Sequence, residues 1–305
     1  MNRNTVEAPD EEKEIIRQNL ACYPVLSSII PRNPLLYRVA FDQYGGKIPP
    51  ERFEEIAEFS LGGFLLHSEE DEEFRDRLQR VEGWLALYPE YANAEFGRKL
   101  LNHFLNFSSE LEVYDALKRA GWSPERDVSL EGMVEESKNM KNLDFRVRPD
   151  GRDILIEVTT PRMSLEADSM YSDTPHAGFF DPSRGIERDG YAGPSRAEIV
   201  VENKVINQIL EATSDTDCPV ILIINCTYAY PEIMGFGDDV SGRISGIIHY
   251  WNGTSEFRST RGCDLSEKEK QFFACLMGPS RAEWLQRILA GKNKSRGLPT
   301  DQETP

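Results

Sequence analysis

The chain has 305 residues, 39% hydrophobic and 29% charged, with a formal net charge of −17. That is the balance of a folded globular protein with room for one large domain, or a core plus an appendage. It argues against a general nucleic-acid binder, which carries a basic footprint. No apolar run approaches the roughly 20 residues needed to cross a bilayer, so no membrane partner is expected. The opening MNRNTVEAPDEEKE contains no apolar signal region, which makes the cytoplasm the expected location. The five cysteines include no CxxC pair, so the sequence suggests neither a disulfide framework nor a zinc site.

In chain order, residues 1–14 read as a polar, acidic, flexible tail. Residues 15–107 read as a helical N-terminal region. Phe53, Ile56, Phe59 and Leu61 follow Pro49-Pro50, and Ser68 is the expected N-cap before Phe74, Leu78, Val81 and Leu85 at helical spacing. Phe96, Leu100, Leu101, Phe104 and Leu105 mark a further helix. Ser109-Glu110-Leu111-Glu112 has the form of a capping box, predicting a helix that starts at Ser109, buries Val113, Ala116, Leu117 and Ala120, and closes at Gly121-Trp122. Glu110 then shares the buried face with Val113 and Leu117.

Asp127 to Leu130 is a predicted first strand. The segment LDFRVRPDGRDILIEVTT, Leu143 to Thr160, predicts a β-hairpin. Leu143, Phe145 and Val147 alternate with Asp144 and Arg146 on its first arm. Ile154, Ile156 and Val158 alternate with Leu155, Glu157 and Thr159 on its second. Arg148-Pro149-Asp150-Gly151 predicts a type I turn between them. Asp144 and Glu157 are thereby expected on adjacent strands and on one side of the sheet. Lys138, Lys141, Arg146, Arg148, Arg152 and Arg162 cluster about the hairpin, either as a local basic strip or as charged edge protection.

The stretch from 161 to 194, rich in Gly, Pro, Ser and Asp, predicts a long loop leaving the Glu157 strand. Ser195 starts a predicted helix to about Ala212, with Lys204 and Gln208 one turn apart beside its apolar stripe. Val220 to Thr227 reads as a strand buried on both faces, Arg243 to Trp251 as another, and Cys263 to Gly291 as mainly helical. Residues 292–305 read as a disordered tail. His249, on an apolar strand, is expected to be a core residue.

The spacing from Asp144 to Glu157-Val158-Thr159, within the order helix, strand, hairpin, helix, strand, strand, resembles the PD-(D/E)XK nuclease superfamily. Two positions depart from its pattern: Leu143 stands where the family often has Pro, and Thr159 where it has a catalytic Lys. The resemblance implies an α/β fold, a restriction-endonuclease-like αβββαβ core with a mixed sheet over residues 108–260. The helical N-terminal region would precede that core, and a C-terminal helical extension over 261–291 would follow it. It implies Mg²⁺, or Mn²⁺, held by Asp144, Glu157 and the Val158 carbonyl, with Glu110 orienting water or assisting a second ion. In some branches the missing cation comes from the following helix, a role that falls on Lys204, with Thr159 and Gln208 as accessory residues. The implied activity is hydrolysis of DNA or RNA phosphodiesters. The alternative is an inactive member of the fold acting as a binding or assembly module, its helical N-terminal region serving a protein partner.

Overall fold

The computed structural model describes residues 5–30, 34–40, 60–128, 143–161, 209, 218–227, 244–251, 254–260 and 263–279. Phe53, Ile56 and Phe59 of the predicted helix after Pro49-Pro50, the loop over 162–194, and Lys204 and Gln208 lie outside these residues, while Leu61 of that predicted helix begins a helix N-capped by Ser60. The chain divides into two units, Met1–Asp115 and Ala116–Pro305.

In the first unit, β1 (Thr5–Glu7) pairs antiparallel with β2 (Arg38–Ala40). The helices are α1 (Asp10–Ala21), α2 (Pro24–Ile29), α3 (Leu61–His67), α4 (Glu72–Leu87), α5 (Ala94–Asn102) and the start of α6 (Phe104–Arg119). The stripe Phe74, Leu78, Val81 and Leu85 is buried as its spacing predicts. Phe64 stacks on Phe74 at 4.2 Å and meets Phe104 at 4.7 Å between ring centroids, which makes α3 the centre of this core.

The caps differ from expectation. Asp71, not Ser68, caps α4, accepting from the Glu73 and Phe74 amides at 2.8 and 3.2 Å. Ser68 instead ends α3, its hydroxyl donating to the Leu65 carbonyl at 2.9 Å. A carboxylate directly before the helix answers the N-terminal amides and the dipole together, an advantage a hydroxyl three residues earlier cannot match. The run from Phe96 to Leu105 is two helices, because the chain leaves helical geometry at His103.

Glu82 of α4 accepts from the amides of Val25 and Leu26 at 2.8 and 2.9 Å, so the first turn of α2 is capped by a residue far away in sequence. Glu82→Ala is expected to cost about 1–2 kcal/mol, the usual worth of an N-cap, measurable by urea denaturation of the full chain.

The second unit is built on a six-stranded sheet in the order β3-β4-β5-β6-β7-β8. Its strands are β3 (Glu125–Val128), β4 (Leu143–Val147), β5 (Ile154–Thr159), β6 (Val220–Asn225), β7 (Ile244–Trp251) and β8 (Thr254–Ser259). β5, β6 and β7 run parallel, and the remaining neighbours are antiparallel. The fold is therefore α/β with a mixed sheet. Every residue of β5 and β6 is buried, as expected for central parallel strands covered on both faces. β8 was not anticipated; it returns from Trp251, which pairs with Thr254 across a two-residue link.

The hairpin turn also differs from expectation. Asp150 and Gly151 both have positive φ, 53° and 86°, and the Arg152 amide donates to the Pro149 carbonyl at 3.2 Å. The tight turn is thus centred on Asp-Gly, one residue later than predicted. These two residue types tolerate left-handed backbone and match the twist of a hairpin better than a type I turn does.

After Gly121, the Trp122 amide closes α6 by donating to the Leu117 carbonyl at 3.0 Å. The Trp122 ring stacks on Phe272 at 3.7 Å, in α7 (Glu267–Cys275). α7 also ties to the hairpin tip, Lys268 to Asp150 at 3.1 Å. Asp264, just before α7, takes Arg152 of the hairpin and, at 3.0 Å, the Ser245 hydroxyl of β7. No helix among the described residues is long and apolar enough to cross a membrane.

Candidate metal centre

The alternation of β4 and β5 and their register decide where the two acids go. The main-chain ladder between these strands pairs Val147 with Ile154, Arg146 with Leu155 and Phe145 with Ile156, and stops there. The next two residues in register are Asp144 and Glu157. Directly opposed residues share a face of the sheet and bring their Cβ atoms to about 5 Å.

In place of further ladder bonds, the two carboxylates bind each other's strand. The Asp144 amide donates to Glu157 Oε2 at 3.2 Å, and the Val158 amide donates to Asp144 Oδ2 at 2.7 Å. Glu157 is only 4% exposed, while Asp144 is half-buried. A carboxylate so enclosed is costly unless its charge is answered, and charge-assisted bonds to backbone amides answer part of it. Carboxylate oxygens are hard donors, and each can accept an amide and still ligate a cation. In a strand the N–H and C=O of one residue point the same way, so the Val158 carbonyl, like its amide, is directed toward β4 and Asp144.

Thr159 lies two residues beyond Glu157 on the same face of β5, 3% exposed, in register with Ile224 of β6. The next residue in that row is His249 of β7, fully buried, in agreement with its expected place in the core. Lys204 and Gln208 are outside the described residues.

Glu110 belongs to the first unit and departs from expectation. α6 begins at Phe104, so Ser109, Glu110 and Glu112 stand inside the helix and form no capping box. The residues predicted to cap bind Arg77 of α4 instead. Its guanidinium, buried with the residue 3% exposed, donates to the Ser108 and Ser109 hydroxyls and pairs with Glu112 at 2.5 Å. The buried cation needs acceptors on α6 more than the helix needs a start at Ser109. Glu110 is buried, with the Tyr91 phenol at 3.5 Å from its Oε1. Val113, Ala116 and Leu117 are buried as predicted, whereas Ala120 is exposed.

The basic strip is answered by acids wherever it is described. Arg146 holds Glu125 at 2.6 Å and Arg148 holds Asp153 at 2.6 Å, while Arg152 pairs with Asp264. The hydrogen bond from Arg146 to Glu125 raises the Arg146 pKa. These arginines are matched by acids rather than forming an unmatched positive surface, and they protect no sheet edge, since β4 and β5 are both paired on two sides.

One further acid had no role in the sequence reading. The pairs Arg126–Phe145 and Val128–Leu143 bracket Asp127, placing it opposite Asp144 on β3. It is exposed, with φ of 46°. Nothing local in the sequence pairs Asp127 with Asp144, because the register between β3 and β4 joins segments far apart in the chain. Among the described residues, no three or more of His, Cys, Asp and Glu converge in a way that could hold a metal ion, so the candidate ligand set is the Asp144 and Glu157 pair with the Val158 carbonyl.

No protein-family model, curated protein or solved structure matches the chain.

Proposed function

We propose that Asp144, Glu157 and the Val158 carbonyl hold Mg²⁺ or Mn²⁺, and that the chain is a divalent-metal-dependent nuclease with a restriction-endonuclease-like αβββαβ core. The observation that carries this reading is the convergence of two carboxylates where the β4–β5 ladder ends, each engaged with the other's strand. One or two carboxylates plus open positions for water is the usual protein share of an Mg²⁺ site. The ion, when bound, polarises a phosphoryl oxygen and lowers the pKa of a coordinated water.

The chain's own residues have distinct tasks in this scheme. Asp144 and Glu157 supply negative charge and a fixed direction of approach, and the Val158 carbonyl a neutral third donor. Thr159 offers a hydroxyl but no charge. The cationic group that stabilises the developing negative charge on a phosphodiester therefore falls to Lys204, with Gln208 as a neighbouring hydrogen-bonding group. Glu110 is not needed for the two-carboxylate set.

A second reading, an inactive member of the fold that binds a nucleic acid or a protein partner, is favoured by the buried threonine at position 159 and by the acid-paired arginines. Cleavage of DNA and RNA in Mg²⁺ or Mn²⁺, beside Glu157→Ala, separates the two. The nuclease reading expects ion-dependent cleavage that falls at least about 100-fold in the variant. Cleavage that persists in Glu157→Ala ends it, and ion binding with no cleavage by the unaltered protein transfers the assignment to the binding module.

A further inference from the structure

We propose that the backbone amides of Asp144 and Val158 are the positioning groups of this site: each holds one carboxylate oxygen from the opposite strand, with or without the ion, and so directs the other oxygen toward it. This rests on the metal-site reading above and adds to it which atoms orient the ligands. Glu157 Oε2 is held by the Asp144 amide and Asp144 Oδ2 by the Val158 amide.

Both amides lie in strands whose pairing holds the backbone around them. Val158 is in register with Ile223 in the parallel ladder to β6. Asp144 sits between Leu143 and Phe145, which pair with Val128 and Arg126 of β3. A glutamate has three rotatable bonds to immobilise when it ligates an ion. An amide already holding one oxygen removes most of that cost before binding. Were the ion to pull both oxygens away, it would leave two main-chain N–H groups without these acceptors at the end of the ladder, where replacing them is unfavourable.

Each acid therefore has two separable roles, closing the hairpin and ligating the ion. Asparagine or glutamine keeps an acceptor oxygen for the amide but loses the charge, whereas alanine loses both. The test uses the full chain with Asp144→Asn, Asp144→Ala, Glu157→Gln and Glu157→Ala. Melting is followed in EDTA, Mn²⁺ affinity by electron paramagnetic resonance, and exchange of the two amides by NMR with and without Mg²⁺.

In EDTA the Asn and Gln variants are expected to melt within about 2 °C of the unaltered protein, and the Ala variants about 3–8 °C lower. All four are expected to lose Mn²⁺ affinity by at least about 10-fold. Both amides are expected to be protected in EDTA and no less protected at saturating Mg²⁺. Amides that lose protection as Mg²⁺ binds, or Asn and Gln variants that melt as low as the Ala ones, overturn the positioning role and leave the metal site standing. Failure of the unaltered protein to bind either ion overturns both.

Discussion

Thr159→Lys is expected to restore, in a Lys204→Ala background, about 100-fold of Mg²⁺-dependent cleavage, the scale on which a single well-placed electrostatic group acts on a developing oxyanion. β5 puts position 159 on the face of Glu157, two residues farther along, so a lysine there brings its ammonium to the same side as both carboxylates. Burial disfavours the charged form of a lysine, and the neighbouring carboxylates favour it. The measurement is a single-turnover rate on a nucleic acid substrate, with circular dichroism to check that the sheet is intact. A rate no higher than that of Lys204→Ala in a folded double variant would mean that position 159 cannot take over the cationic role. Lys204→Ala by itself is expected to lose about 100-fold; if it cleaves at the parent's rate, the developing negative charge has no cationic group in this scheme and the nuclease reading fails.

Gly97→Ala is expected to destabilise the first unit by about 3 kcal/mol, at the upper end of what overpacking costs. A Cβ at Gly97 in α5 would stand 2.1 Å from the Ile29 carbonyl oxygen and 2.8 Å from its carbon, at the end of α2. Both atoms are backbone, so no side-chain rotation relieves the contact; the two helices must separate. Ile29 on α2 and Phe96 and Leu100 on α5 are all buried, and moving the two helices apart opens space in a close-packed core. Urea denaturation of the full chain, read by the far-ultraviolet signal, measures the loss. A midpoint unchanged from the parent would show that the helices can move apart at little cost.

The two predictions draw on different kinds of legibility. The hairpin was readable because its signals are local: period-2 alternation from Leu143 to Val147 and from Ile154 to Thr159, separated by Pro, Asp and Gly. The opposition of Asp144 and Glu157 follows from that alternation once the turn length is known, and the turn was misplaced by only one residue. The buried strand at Val220 was readable for the same reason, since an unbroken apolar run has no solvent face.

Capping was less readable. Ser68 and Ser109 both carry valid local signals for a helix start, but Asp71 outcompetes the first and Arg77 claims the second. The consequence of Gly97 depends on α2, a helix more than 60 residues earlier in the chain, and no pattern near Gly97 announces it. In the same way Glu82 caps α2 across 57 residues.

By itself the sequence determined the hairpin strands and the buried strands β6 and β7, their facing and the acidic pair, because these depend on the geometry of neighbouring residues along one chain. The tertiary structure decided where the β4–β5 ladder stops, which amides the two carboxylates hold, that the hairpin arginines are matched by acids, and that Asp127 stands opposite Asp144. Each of these depends on register between segments whose separation in sequence carries no energy of its own. Only packing the whole sheet fixes it.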